Sequence, residues 1–385
     1  MSEPLYNDCD CRFMLKAIRL AKLGEGKTSP NPIVGAVIVK NNTVIGKGWH
    51  RAYGMLHAER DALRDCTRRN SDPVGSTLYV TLEPCCHYGK QPPCTQAIVE
   101  AHIAKVVVGS CDPNPLVAGK GLEFLRTYGI EVIEDCMREQ CDALNEIFFH
   151  AITTNKPYVA LKYAMTADGK IATKTGASKW ITGSTARMHV QRLRNRYACI
   201  CVGIGTVLAD DPMLTCRIGG KRNPVRIICD SRLRIPLTST IVGTADVIPT
   251  IIAACSSFTD SRFMQQKQAL ERKGIEVLLL QKDCGSADPR VDLRELVAVL
   301  GKRGLDSILI EGGAEIHAAA LCAGIVNKLY CYIAPKIFGS SAAKSPVGGK
   351  GIADPHETCA MHLVEVERFQ DDILLEYEVL SCLPA

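Results

Sequence analysis

Residues 57–94, HAERDALRDCTRRNSDPVGSTLYVTLEPCCHYGKQPPC, hold the densest chemical signal in the chain. His57-Ala58-Glu59 opens HAERDALRDCTRR, whose apolar residues recur at helical spacing. TLYVTLEP follows as a buried strand and leads into Glu83-Pro84-Cys85-Cys86-His87, and Pro92-Pro93-Cys94 precedes a second helix, TQAIVEAHI. One imidazole and two thiolates fill three corners of a zinc tetrahedron and leave the fourth for water, which separates a catalytic site from a closed structural one. Zinc lowers the pKa of that water to about 7. Glu59 lies two residues from His57, close enough to move protons without being a ligand. Cysteines near helix N-termini sit where the helix dipole favours thiolate. A closed knot of Cys85, Cys86, His87 and Cys94 is the competing arrangement. It leaves His57 and Glu59 without a role and asks adjacent side chains to converge on one ion.

Outward from this stretch, helix and strand alternate. RFMLKAIRLAKLG is predicted as a helix, and IVGAVIVK and NTVIGKGW as strands joined by an Asn-Asn turn. KVVVGSCD and IEVIEDC are predicted strands, GKGLEFLRTYG a helix, and CDALNEIFFHAITT one last helix closing the domain. This describes a sheet covered by helices. A break falls near Thr153–Pro157, where TTNKP is polar and ends in proline. The expected domains are therefore residues 1–153 and 157–385. Beyond the break, YVALKYAMT and KIATK are expected to flank an Asp-Gly turn. ARMHVQRLRNRY is helical, and ACICVGIG, VRIICDS, VIPTIIAAC, IEVLLLQ and SILIEGG are strand-like runs separated by helices. LVEVERF and ILLEYEVL bracket Gln-Asp-Asp as a C-terminal antiparallel hairpin, and VGGKGIADP is a loop.

Composition bounds the function. The 385 residues are 46% hydrophobic and 23% charged, ordinary for a globular protein of two or three domains. A net charge of +5 permits phosphorylated small molecules but is no nucleic-acid footprint. No apolar run approaches the roughly 18–20 residues of a membrane span. The start, MSEPLYNDCDCRFML, lacks the basic and long apolar regions of a signal peptide, so a cytoplasmic location is expected. Of the 19 cysteines, most are scattered singly in apolar stretches and are read as small buried hydrophobes in a reducing compartment. Cys199 and Cys201, two apart in YACICVG, share one face of a strand.

His-x-Glu followed by Pro-Cys and a second cysteine matches the zinc base deaminases, except that eight residues, in place of two, separate Cys85 from Cys94. With Ser29-Pro30-Asn31-Pro32-Ile33-Val34-Gly35-Ala36 upstream, this pattern resembles the bifunctional deaminase–reductases of riboflavin biosynthesis. The long Cys–Cys insert is typical of that family, and the resemblance spans nearly the whole chain. It implies a cytidine-deaminase-like α/β/α domain followed by a dihydrofolate-reductase-like α/β domain. The first reaction would replace the 2-amino group of 2,5-diamino-6-ribosylamino-4(3H)-pyrimidinone 5′-phosphate with oxygen. The resemblance makes His57, Cys85 and Cys94 the Zn2+ ligands and Glu59 the proton shuttle. It places Asn31 and His50 on base or ribose and His87 and Lys90 on the phosphate, and Asp112 and Asn114 also match family positions. Turn or surface duty for Asn31 and His50, and a solvated loop charge for Lys90, remain open at this point.

The second half carries no dinucleotide Gly-x-Gly-x-x-Gly motif, because after Gly203-Ile204-Gly205 the third position is Leu208. In Ile310-Glu311-Gly312-Gly313-Ala314-Glu315-Ile316-His317 a strand ends, two glycines follow and a helix begins, which exposes N–H groups suited to a pyrophosphate. A packing-driven turn explains the same pattern equally well. LKYAMTADGKIATKTGASKWITG, GIGTVLADDPMLTCR, DSRLR and EGGAEIH resemble the family's reductase half, which reduces the ribose of the deaminated product to a ribityl chain with NADPH. The resemblance implies that Ser178, Arg194, Leu214, Arg217 and Glu311 contact substrate, the arginines on its phosphate. It implies that Ala164, Trp180, Thr206, Asp210, Ser231 and the stretch Gly313, Ala314, Glu315, Ile316, His317, Ala318 and Ala319 contact NADPH. Lys162, Asp210 and Glu311 are the titratable groups considered for proton transfer, with Lys162 counted at the substrate. Core packing of Trp180, a salt bridge at Lys162 and helix-surface charge at Arg194 are the bland alternatives. Arg232 and Arg234 are candidates for the 2′-phosphate by charge alone. The partners expected are pyrimidine nucleotides, not nucleic acid or membrane, and the family suggests a homo-oligomer, dimer or tetramer. A nucleic-acid-editing deaminase would need basic patches with interleaved aromatics, whereas aromatic content is 5%. A non-catalytic C-terminal module is the other alternative, and NADPH binding by that half separates it from a reductase.

Overall fold

The computed structural model describes residues 6–383 apart from 89–90, 115–116, 221 and 284–288. Lys90 lies outside the described residues. The chain forms two compact units, Met1–Asn155 and Lys156–Ala385.

Unit 1 runs α1 (Asp8–Ala21), β1 (Gly35–Lys40), β2 (Thr43–Trp49), α2 (Ala58–Arg68), β3 (Thr77–Leu82) and α3 (Cys94–Glu100). It continues with β4 (Lys105–Ser110), α4 (Lys120–Thr127), β5 (Glu131–Ile133), α5 (Arg138–Leu144) and α6 (Glu146–Thr154). The sheet order is β2-β1-β3-β4-β5, antiparallel at β1 and parallel from β3 to β5. Strand alternation sends Ala36, Ile38, Leu78, Val80, Val106 and Val108 to one face, against Ala58, Ala62, Ile98, Leu122 and Leu125 of α2, α3 and α4. Val37, Val39, Tyr79 and Val107 go to the other, against Phe13, Met14 and Ala17 of α1 and Cys141 of α5. The result is three α/β/α layers. The Asn41-Asn42 turn has φ of 50° and 59°, the left-handed pair that a tight hairpin requires.

The last helix of this unit differs from expectation. CDALNEIFFHAITT is broken at Asn145 into α5 and α6. Asn145 is buried, and its amide accepts from the Ile33 N–H at 2.9 Å and donates to the Ile33 carbonyl at 3.0 Å. This long-range pair outweighs local helix propensity and bends the chain there.

Unit 2 begins β6 (Tyr158–Thr166), α7 (Ser184–Arg196), β7 (Cys199–Gly203), α8 (Ile204–Asp210), β8 (Val225–Cys229) and α9 (Thr240–Gly243). Next come β9 (Thr250–Cys255), α10 (Ser261–Glu271), β10 (Glu276–Leu280), α11 (Leu293–Lys302), β11 (Ser307–Ile310) and α12 (Ala314–Cys322). Strands β12 (Lys328–Ala334), β13 (Met361–Phe369) and β14 (Asp372–Val379) complete the sheet, whose order is β10-β9-β8-β7-β11-β6-β12-β14-β13. Strands β10 to β12 are parallel, and the β13–β14 hairpin is antiparallel at the edge. Cys199 and Cys201 face one core, Ile200 and Val202 the other. KIATK is not a strand. β6 already has β11 and β12 on its two sides, so no edge is free for a hairpin partner. The segment is held instead by single bonds, Ile171 N–H to the Lys344 carbonyl at 2.9 Å among them. Strand β12, KLYCYIA, is an element the sequence pattern does not announce.

Candidate functional sites

In unit 1, β3 delivers Cys85 just past its end, while α2 and α3 bring His57 to an N-cap and Cys94 to a first turn. His57 Nδ1 lies 3.5 Å from Cys85 Sγ and 3.4 Å from Cys94 Sγ. Bond lengths of ~2.1 Å to nitrogen and ~2.3 Å to sulfur at a tetrahedral angle require an N···S edge of roughly 3.6 Å, so this donor set fits zinc. All three ligand atoms lie within 4.8 Å of one another, and no other such group occurs among the described residues. The Cys94 thiol beside it and His57 pull the Cys85 thiol down to about 4, against burial. Cys94 is pushed up because it shares its proton with Cys85 and is buried. Cys86 is pushed up by burial and is not part of the triangle.

Glu59 follows His57 by half a turn and is buried. Burial first, and the Cys85 charge second, raise its carboxyl to about 7, near the pH at which it must both take and give a proton. His50 stands edge-on to His57 with ring centroids 5.4 Å apart. Its Nδ1 donates to the Leu56 carbonyl at 3.0 Å, which turns Nε2 toward the Asn31 amide nitrogen at 3.4 Å as an acceptor. Burial holds this imidazole neutral by lowering its pKa. Asn31 and His50 thus stand as a pair beside the donor triangle rather than as separate turn residues. Asp112, Asn114 and His87 lie on the loops around it. Asp112 is buried and accepts from the Asn114 N–H at 2.9 Å, while His87 is exposed.

One residue of the Glu83-Pro84-Cys85 run has a role that the sequence does not announce. Buried Glu83 accepts the N–H of Asp112 at 3.3 Å, of Gly119 at 3.0 Å and of Gly121 at 3.0 Å. Its carboxylate caps the N-terminus of α4 from another strand and anchors the Asp112 loop next to Cys85.

In unit 2 the chemistry-bearing residues gather where the parallel strands end: Ala164 on β6, Gly203 on β7, Ser231 after β8 and Glu311 after β11. Ligands bind at carboxyl ends of strands in open α/β sheets. A cavity of about 1140 Å³ opens there. Lys162, Ala164, Ser178, Trp180, Arg194, Thr206, Asp210, Leu214, Arg217, Ser231, Glu311, Gly313, Ala314, Glu315, Ile316 and Ala319 all line it. Its lining holds nine basic and four acidic side chains, an excess that suits two phosphorylated ligands. Trp180 is 57% exposed at the rim, with the Arg187 guanidinium 4.5 Å from its ring centroid, so it is not core. Arg232 and Arg234 line the cavity beside Ser231. Arg187, Arg290 and Lys344 line it too and come from segments with no local signal.

Two of these assignments meet a particular geometry. His317 and Ala318 do not line the cavity, because the helical turn of α12 points them into the core while 314–316 and 319 face outward. Arg194 lines the cavity and is also held in a buried ion pair. Its Nε and Nη2 donate to the two Glu311 oxygens at 2.7 and 2.9 Å, and its Nη1 to the Thr215 carbonyl at 3.0 Å. Lys162 Nζ stands 3.7 Å from the same carboxylate. Burial pushes Glu311 up, but Arg194 and then Lys162 outweigh it and hold it ionised below its usual range. Lys162 is lowered by burial, with Glu311 opposing. Arg217 is exposed, and its backbone N–H donates to Gln191 Oε1 at 2.8 Å, so α7 fixes the loop while the guanidinium remains at the cavity.

Comparison with known proteins follows the same division. Residues 7–110 match the cytidine and deoxycytidylate deaminase zinc-binding region, and residues 157–375 match the RibD C-terminal domain. The riboflavin biosynthesis protein RibD of Actinobacillus pleuropneumoniae is 50% identical over 374 residues, 97% of this chain and 96% of that one. The solved diaminohydroxyphosphoribosylaminopyrimidine deaminase/5-amino-6-(5-phosphoribosylamino)uracil reductase of Thermotoga maritima superposes with a TM-score of 0.83 at 37% identity, covering 97% of this chain and 99% of that one. Acinetobacter baumannii RibD gives 0.82 at 37% identity, with the same coverage of 97% and 99%.

Proposed function

The chain belongs to the RibD family of riboflavin biosynthesis, and on that premise we propose how its residues divide two reactions between its two units. It is a bifunctional enzyme, a zinc-dependent deaminase joined to an NADPH-dependent reductase. In the first step the 2-amino group of the diaminopyrimidinone ribosylamine 5′-phosphate is exchanged for oxygen. In the second the ribosyl group of that product becomes ribityl.

For deamination, His57, Cys85 and Cys94 hold the metal, which supplies an acidified water when bound. Glu59 would carry one proton from the attacking water to the ring nitrogen, and a second, from the hydroxyl so formed, to the amino group as it leaves as ammonia. Asn31 and His50 orient the base or ribose. Asp112, Asn114 and His87 lie on the loops that receive the rest of the nucleotide, and Lys90 is assigned to its phosphate by resemblance. The observation that carries this reading is the donor triangle with buried Glu59 beside it.

For reduction, NADPH would supply hydride to the former anomeric carbon of the opened, imine form of the ribosylamine, whose nitrogen takes up a proton. The helix end at Gly313, with Ala314, Glu315, Ile316 and Ala319, borders the cofactor phosphates, and Ala164, Trp180, Thr206, Asp210 and Ser231 line the rest of its path. Ser178, Arg194, Leu214, Arg217 and Glu311 meet the substrate, all of them in the cavity lining. Lys162 stands at the reacting centre, held by Glu311, which Arg194 keeps charged.

We further place the protein in a reducing cytoplasm, a reading that buried free thiols such as Cys199 and Cys201 support. No helix among the described residues is long and apolar enough to cross a membrane. A homo-oligomer, dimer or tetramer, is supported by edge strand β13, which exposes Met361, Leu363, Val364 and Val366. Sedimentation showing a monomer at micromolar concentration rules that out. The two reactions are tested together by incubating the diaminopyrimidinone nucleotide with and without NADPH and weighing the product. Deamination adds about 1 dalton and reduction about 2 more, from the atoms exchanged. A first product formed only when NADPH is present overturns the order.

A further inference from the structure

His317 does not itself line the cavity, yet both of its nitrogens are engaged. It is 1% exposed. Its Nε2 accepts the Gly312 N–H at 3.1 Å, and its Nδ1 donates to the Pro346 carbonyl at 2.8 Å. Gly312 and Gly313 have φ of 123° and 90°, a region in which glycine has freedom and side chains cannot supply restraint. On the far side of His317, Ser345 and Gly348 line the same cavity as Gly313 does. The 345–349 segment has other ties to α12, Gly348 N–H to the Ala314 carbonyl at 3.0 Å and Gly349 N–H to Glu315 Oε1 at 3.4 Å. The imidazole therefore links two walls of one cavity from behind.

We infer that His317 is a positioning residue: through its bonds to Gly312 and Pro346 it sets the spacing of the glycine turn and the 345–349 segment that together receive the NADPH phosphates. The inference rests on the reductase reading above. Only a neutral imidazole with its proton on Nδ1 makes both bonds, since an imidazolium would aim an N–H at the Gly312 N–H. Burial holds the ring neutral, and Lys162 nearby opposes its protonation while Glu311 favours it. The Tyr163 ring, 6.0 Å away between centroids, closes another side. A ring so enclosed does not exchange protons with substrate, and its contribution is to geometry alone.

The test uses the full-length protein with NADPH as the probe. His317→Phe keeps ring volume and loses both bonds. His317→Gln places an oxygen within reach of Gly312. The Phe variant is expected to weaken NADPH binding by about tenfold or more, from the loss of two buried bonds. The Gln variant recovers most of that. In both, KM for the deaminated nucleotide should stay within about twofold of wild type, since a bulk stability loss would move both constants. Deaminase activity reports on the rest of the chain. A 15N spectrum of the histidine-labelled wild type should show the Nδ1-protonated tautomer for His317. Unchanged NADPH affinity in the Phe variant, equal loss of both ligands, or an Nε2-protonated ring each overturns the inference. If the wild type itself fails to bind NADPH, the reductase reading fails first and takes this inference with it.

Discussion

The deaminase centre draws its metal donors and its proton carrier from residues 57–94, whereas the reductase cavity draws its lining from residues 162 to 348. The first is a triangle of three donor atoms within 4.8 Å of one another, and the second is a wide basin in which no single contact dominates. A metal site fails as a whole when one donor goes. A basin loses one ligand or the other according to which wall is touched. The two sites should therefore answer substitution in different ways, and the following experiments press on that difference.

The largest effect belongs to the triangle. Cys85→Ser should abolish both bound zinc and deamination, while Cys86→Ser should keep both. Elemental analysis of the two purified variants decides it, and zinc loss from the Cys86 variant alone breaks the ligand assignment. Next, Glu59→Gln should keep its metal and lose about 100- to 10,000-fold in deamination rate. The same protein should oxidise NADPH at the wild-type rate when given the already deaminated nucleotide. Inactivity on both substrates, in a folded and zinc-loaded protein, would falsify the independence of the two sites.

In the basin, Arg194→Ala should act on stability before it acts on binding. It strands Glu311, whose side chain is 5% exposed, and should cost about 3 kcal/mol, the low end for a broken buried pair, because Lys162 stays close. Denaturant unfolding measures it, and an unchanged midpoint with a raised KM leaves Arg194 to the phosphate alone. Arg217→Ala should leave the midpoint alone and raise KM for the deaminated nucleotide by roughly tenfold, with NADPH affinity constant. Equal loss of both ligands means that the basin is not divided as described.

The smallest effect sharpens the contrast from the side of charge. Burial raises the Asp112 carboxyl from an ordinary 3.8 to about 6. Folding then favours the protonated form, so its contribution to stability is complete below about pH 4 and is lost as pH rises through 6. Asp112→Asn should flatten that slope in the melting of unit 1 between pH 4 and 6. A slope identical to wild type assigns the titration elsewhere.

How far the sequence could be read follows the same divide. The donor triangle was legible because a helix start, a strand end and a second helix start place His57, Cys85 and Cys94 through local geometry. The Asn41-Asn42 turn was legible for the same reason. The split at Asn145 was not, since its cause is a bond to Ile33, 112 positions away. KIATK reads as a strand by pattern and has no strand beside it to pair with. KLYCYIA is a short apolar run whose nature depends on the strands on either side of it. In the cavity, resemblance supplied Gly313–Ala319 as one stretch, but a helix presents only part of any stretch to one side, so His317 and Ala318 fall behind. Arg194 reads as a cation, and the Glu311 carboxylate opposite it is a partner 117 positions away that no local pattern announces.

The place of β6 has a consequence for how the protein is made. It is the first strand of its unit to leave the ribosome, yet its two neighbours are β11 and β12. Synthesis must run about 140 residues past Thr166 before either neighbour exists, roughly 7–30 s at ordinary elongation rates. Unit 1 is by then complete and able to fold. During that interval YVALKYAMT, largely apolar, waits without either of its strand partners.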